Sequence, residues 1–350
     1  MPETIPDAHL PLLRRSWIFE TLDELDRDAL FRALERVDVL AGEALIRQGR
    51  RNQALYLLVE GRVSVQLELQ GQRREELGTL VPGEVFGEMS CLDPAPGSAT
   101  LVAMDDVVAY SLDHAMYQNL RTFAPHITVH IVAGVISHVS ERLRSTNEHI
   151  ARAFQANEVV SAPSDDLDRL NAHLGESTAS PLTDLDLESV TTPPGMTVHD
   201  LTELLAWSSP GTFREGDLLC REEFQGRSCY LVLEGTVQVT RHQRPLGELG
   251  PGVIIGQLGM DGAPRSATVS ARGAVKVLEF SREQLERLMA SGTLTAIRLQ
   301  EVIAVSGVRQ LRAANVWLGN LLSFPSDIAY PLHRLRPKAS RSRWKAPDRE

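Results

Sequence analysis

The feature that most constrains this chain is that it repeats itself. Residues 77–88 (LGTLVPGEVFGE) align without gaps to residues 246–257 (LGELGPGVIIGQ), and residues 95–100 (APGSAT) match residues 263–268 (APRSAT). Residues 56–65 (YLLVEGRVSV) match residues 230–239 (YLVLEGTVQV). Gly42 precedes Gly61 by 19 residues, and Gly216 precedes Gly235 by the same 19. Four matches in one order exceed chance, so the fold must be one that tolerates two copies of a unit in tandem. With 350 residues and 43% hydrophobic content, two cores of ordinary domain size fit.

Each unit has strand period. Tyr56 and Leu58, then Val63 and Val65, alternate, and a glycine separates the two runs. Gly61 and Gly235 are therefore expected at hairpin turns. The fold class is mainly β with flanking helices: two β-rolls of the jelly-roll kind, each followed by an exit helix. The pattern Leu22, Leu25, Leu30, Leu34, Val37 predicts a leading helix before the first roll, capped by Thr21 or Asp23. Domain one is expected over 1–156, and an acidic Ser/Thr/Pro linker over 157–200 with a short helix near Leu167 to Leu174. Domain two follows over 201–325 and a basic tail over 326–350. The linker carries nine carboxylates against one arginine. The tail from Leu332 on has a net charge of +5, leaving −15 for the rest of a chain whose total is −10.

In each unit an apolar residue, a glycine and an acid or amide are followed by a short bridge and then by Ser-Ala-Thr. This pattern resembles the phosphate-binding cassette of the cyclic-nucleotide-binding superfamily, which includes the catabolite activator protein and the regulatory subunits of cAMP-dependent kinase. The resemblance implies a glycine that lets backbone approach the ligand, a short helix aimed at the phosphate and a Glu accepting from the ribose 2′-OH. It also implies an Arg that forks onto the phosphate oxygens. Carried onto this chain, the first site comprises Phe86, Gly87, Glu88, Met89, Ser98 and Ala99, with Thr146 and Asn147 of the exit helix facing a purine. The second comprises Ile255, Gly256, Gln257, Leu258, Arg265, Ser266 and Ala267.

Each copy departs from the pattern. Copy one has Gly97 where the arginine is expected, and copy two has Gln257 where the acid is expected. Losing a charge-assisted bond costs roughly one to two powers of ten in affinity, whereas Gln keeps an acceptor. Copy two is therefore the expected nucleotide site, with cAMP or cGMP as the ligand and no other cofactor or metal.

The first exit helix carries a heptad stripe of Val129, Val132, Ile136, Val139, Leu143, Thr146, Ile150 and Ala153, and a second stripe of Ile127, Ile131 and Val135. The second stripe suits its own roll. The first predicts a parallel homodimer, the alternative being burial within one subunit against domain two. A second helix is expected over 294–322, with Asn315 on its seam.

No GxSxG, HExxH or P-loop occurs, so an enzyme is disfavoured. No pair of short helices follows either roll, so a DNA-binding regulator is disfavoured too. Cys91, Cys220 and Cys229 form no CxxC pair, and no leader or spanning segment is read. The expected function is a cytoplasmic, non-enzymatic signalling regulator that senses a cyclic nucleotide and relays it through its exit helices to a protein partner. The alternative is a ligand-free scaffold.

Overall fold

The computed structural model describes residues 5–20, 22–69, 73–157, 176–241, 243–257 and 262–323. Thr21, Leu258, the helix expected near Leu167 to Leu174 and the basic tail lie outside the described residues.

Three short helices lead the chain: α1 (Leu10–Arg15), α2 (Trp17–Glu20) and α3 (Glu24–Ala33). Asp23 caps α3 by accepting the Asp26 N–H at 2.8 Å. The expected leading helix overshoots: Leu25 is 80% exposed, and Glu35–Val39 forms strand β1 because it pairs along the roll. The first roll continues with β2 (Ala44–Ile46), β3 (Arg51–Asn52), β4 (Ala54–Glu60), β5 (Val63–Glu68), β6 (Arg74–Leu80) and β7 (Val85–Phe86). Then come α4 (Glu88–Leu92), β8 (Ala95–Pro96), β9 (Thr100–Ala103) and β10 (Val107–Asp113). Two four-stranded sheets result, ordered β1-β10-β4-β7 and β2-β9-β5-β6.

Gly61 is therefore not a hairpin turn. The strands on either side of it belong to different sheets, and Gly61 marks the crossing between them. Its φ of +80°, and a would-be Cβ only 2.5 Å from the Asp106 carbonyl oxygen, explain why no other residue fits. Gly235 is not a hairpin turn either: with φ +90° it lies inside one continuous strand, where the pairing register shifts.

Helices α5 (His114–Phe123) and α6 (Pro125–Asn157) leave the first roll. The second unit comprises β11 (Ser180–Pro181), α7 (Val198–Leu205), β12 (Ser209–Phe213), β13 (Leu218–Cys220), β14 (Ser228–Arg241), β15 (Arg244–Leu249), β16 (Ile254–Ile255) and β17 (Thr268–Ser281), then α8 (Arg282–Ala290) and α9 (Leu294–Ser323). From Glu176 on, the stretch expected as linker is built into this roll: β11 pairs with β12, and Ser177 N–H donates to the Leu218 carbonyl at 2.7 Å.

The expected homodimer seam is filled from within the chain. Val132, Val139, Leu143 and Ile150 of α6 are buried in one cluster with Val308, Leu311 and Leu318 of α9. The two helices run parallel, since Val139 meets Gly307 and Thr146 Oγ1 donates to Asn315 Oδ1 at 3.3 Å. The separation between Val139 and Gly307, 168 positions, equals that between Gly97 and Arg265, the offset of the two copies beyond the shorter second bridge. Residues of α6 thus face their own repeat equivalents, as they would across the twofold axis of a dimer. Duplication has placed both partners in one polypeptide, so the coiled-coil seam is satisfied without a second copy. Ile127, Ile131 and Val135 face the first roll as expected, all fully buried. Among the described residues no helix is long and apolar enough to cross a membrane.

Candidate functional site

Each roll holds a hollow at its cassette, and the α6·α9 pair forms a wall of both. The first hollow, about 280 Å³, is bounded by the roll and by Arg142, Thr146 and His149 of α6, with Arg312 and Asn315 of α9. The second, about 110 Å³, is bounded by its roll, by Leu143 and Asn147 of α6 and by Gln310 and Ala314 of α9. Thr146 and Asn147 were expected together at one site. Adjacent helical residues point about 100° apart, so they face different hollows. Asn147 is 4% exposed, and its Oδ1 has no partner among the described residues.

At the first cassette Gly87, with φ +75°, opens α4, and a Cβ there would stand 2.5 Å from the Ala54 carbonyl oxygen. This backbone approach seats Glu88 at the cavity wall with its side chain 2% exposed. Arg142 donates to Glu88 Oε1 at 2.7 Å, while Oε2 has no partner among the described residues. A buried carboxylate oxygen without a donor is costly to desolvate and is an acceptor waiting for one. Met89, Ser98 and Ala99 line the same hollow. Phe86 does not: it is fully buried and stacks on Tyr56, ring centroids 5.2 Å apart, so it is core. At Gly97 a Cβ would meet the Arg47 carbonyl oxygen and Ile46 at 3.0 Å, so the position is closed tightly without a side chain.

Arg312, reaching over from α9, donates to the Asp93 carboxylate (2.6 Å) and to the carbonyls of Asp93 (2.6 Å) and Met89 (3.0 Å). It thereby satisfies the C-terminal carbonyls of α4 and bolts the second domain's exit helix to the first cassette. Burial pulls its pKa below the ordinary value, with Asp93 acting in the opposite sense.

At the second cassette Gly256 has φ +83°, and Ile255, Gly256, Gln257, Ser266 and Ala267 line the hollow as expected. Arg265 is already engaged. Its Nε and Nη2 fork onto Glu176 at 2.8 and 3.3 Å, Nη1 donates to the Gly256 carbonyl at 2.6 Å, and Nη2 donates to the Ser228 carbonyl at 2.7 Å. Copy two is the expected nucleotide site on the strength of this arginine, but its charge is paired within the chain. Burial pushes the neighbouring Cys220 thiol up to about 12 despite the pull of Arg265, so it stays protonated and unreactive. Gln257 Oε1 has no partner among the described residues.

Sequence reasoning missed Arg142, Arg312 and Glu176. Arg142 lies one turn before Thr146 and was legible by helical spacing. Arg312 and Glu176 arrive from remote segments and leave no local signal. The histidines along α6 have ordinary partners: His126 pairs with Asp26 at 2.7 Å, and His138 lies against Trp17.

The profile of the cyclic nucleotide-binding domain matches residues 36–122 and 210–291, one roll each. The two rolls belong to the cyclic nucleotide-binding domain family. Among curated cyclic-nucleotide-binding relatives, the chain is 22% identical to the "cAMP-dependent protein kinase regulatory subunit" of Dictyostelium discoideum, over 79% of this chain and 72% of that protein. It is 26% identical to the "CRP-like cAMP-activated global transcriptional regulator" of Mycobacterium tuberculosis, over 40% of this chain and 61% of that protein. A solved structure of the Toxoplasma gondii PKA regulatory domain with cAMP aligns at 22% identity, covering 83% of this chain and 95% of that one, with a TM-score of 0.33.

Proposed function

We propose that the chain is a non-catalytic regulator that senses a cyclic nucleotide in its first cyclic-nucleotide-binding roll and relays occupancy to a protein partner. One observation carries this reading: Glu88, whose Oε2 is buried and without a partner among the described residues, lines a cavity of about 280 Å³ at the position the family uses for a ribose hydroxyl. The two curated relatives, whose names tie them to cAMP, favour cAMP over cGMP. The cassette arginine is absent, so the expected affinity is weaker than a complete cassette by roughly one to two powers of ten. The relay runs through α6·α9. A ligand that shifts Arg142 or Arg312 moves a helix that also walls the second hollow, which couples the two rolls. Free, buried Cys91, Cys220 and Cys229 suit a reducing compartment, and we place the protein in the cytoplasm.

Calorimetry with cAMP and cGMP tests this reading. Saturable heat lost in Glu88→Ala is the expected result; no heat and no change in Tm at millimolar ligand overturns it. A second reading, a ligand-free scaffold, is favoured for the second roll alone by the pairing of Arg265 with Glu176.

A further inference from the structure

The backbones of the two cassettes superpose bond for bond at the arginine position. Gly97 N–H donates to the Arg50 carbonyl (2.8 Å) and its carbonyl accepts from Gly49 N–H (2.9 Å); Arg265 does the same with Phe224 (2.8 Å) and Glu223 (2.9 Å). The side-chain slot beneath differs. In the first roll Asn52 Nδ2 donates to the Ala54 carbonyl at 2.8 Å. In the second roll the equivalent of Asn52 is Gly226, and Arg265 Nη2 reaches the equivalent carbonyl, that of Ser228. A Cβ on Gly226 would fall 1.9 Å from Arg265 Cζ, so glycine is what makes room for the guanidinium.

The guanidinium, its side chain 2% exposed, must be neutralised by a nearby anion. That anion is Glu176, whose two oxygens meet Nε and Nη2 as a fork. Glu176 is itself held in place. Its Oε1 accepts the Arg221 N–H at 3.2 Å, Ser177 Oγ accepts the Leu218 N–H at 3.0 Å, and β11 follows as an added edge strand. A carboxylate offers the charge and paired oxygens that a phosphodiester offers to an arginine.

We propose that Glu176 is a tethered stand-in for a phosphodiester: the second cassette is an anion site filled from within the chain, and Glu176 sets its specificity against cyclic phosphates. A free ligand must displace a carboxylate held at high effective concentration by its own chain, so the second roll stays closed to cyclic nucleotides. The inference is independent of what the first hollow binds.

Equilibrium dialysis of the full chain against radiolabelled cAMP, and separately cGMP, tests it in the wild type, Glu176→Ala and the double variant Glu176→Ala/Arg265→Ala. Glu176→Ala is expected to bind one more nucleotide per chain than the wild type, with second-roll affinity gained roughly ten- to a hundredfold. The double variant is expected to return to the wild-type stoichiometry. Equal stoichiometry in the wild type and Glu176→Ala, or a gain that survives loss of Arg265, overturns the proposal. None bound by the wild type and one by Glu176→Ala sustains it while overturning the reading of the first hollow. Should Glu176→Ala fail to fold, Glu176→Gln keeps the shape and removes the charge. A smaller gain that still depends on Arg265 is then the expected result, and no gain is the overturning one.

Discussion

In the first roll the carboxylate of Glu88 is buried, one oxygen having no partner among the described residues, and Asn52 closes the slot beneath the cassette. In the second, an amide, Gln257, stands in place of that carboxylate, and Arg265 closes the corresponding slot with Glu176 as its counter-ion. One copy has no cation at this position; the other has one and pairs it within the chain. The two arrangements have different consequences. Without the cation there is a roomy hollow with an anionic wall, partly balanced by Arg142 from α6. Pairing makes the arginine part of the architecture, so removing its counter-ion exposes a buried charge.

That contrast is sharpest in the slot residues. Gly226→Ala places a methyl where the guanidinium lies, evicting a buried cation from its partners, and is expected to cost about 3–5 kcal/mol. Chemical denaturation measures this, and a loss under about 1 kcal/mol breaks the claim that Arg265 is structural there. The shared wall predicts the next largest effect. Leu143 is 4% exposed among α6, α9 and the second hollow, and Leu143→Ala is expected to cost about 2–4 kcal/mol. Amide exchange should quicken in both rolls; protection unchanged in either one would show that the wall does not couple them.

Acid should loosen the second roll's fastening to α9. Burial pushes the Asp200 carboxyl up, but bonds from Thr197, Thr295 and Arg298 outweigh it and leave the pKa below its ordinary value. A depressed carboxyl contributes stability that is fully present above the ordinary pKa of about 4 and lost as pH falls below it. Asp200→Asn is therefore expected to cost roughly 2 kcal/mol at neutral pH and to flatten the acid limb of a Tm-against-pH curve. The smallest effect belongs to the first slot: Asn52→Ala removes a neutral bond to the Ala54 carbonyl and a long one from the Ala54 N–H, and should cost about 1 kcal/mol. If it matches Gly226→Ala, the two slots are not the different devices described above.

Much of this molecule was legible as a string. The strand period on either side of Gly61 and the seam of α6 follow from local spacing, because backbone geometry repeats every two or 3.6 residues; the duplication follows from self-similarity, and the cassette at 86–99 and 255–267 from its resemblance to a known family. Three particulars were not. Gly61 reads the same whether the chain folds back on its neighbour or crosses to another sheet, since either course asks for positive φ. The heptads of α6 state that a partner exists and what its surface is like, but a copy in the same chain and a copy in another satisfy them equally. Arg265 reads as an open anion receptor because its counter-ion lies 89 positions away in a stretch with the composition of a linker.

The amino-acid sequence alone determined the unit, its repetition and where each cassette lies in the chain, since those depend on patterns within a few strands of one another. Tertiary structure decided which charges remain available. Availability depends on what a remote segment brings within hydrogen-bond reach, and in this buried site one carboxylate delivered from afar pairs an arginine that the local sequence leaves open.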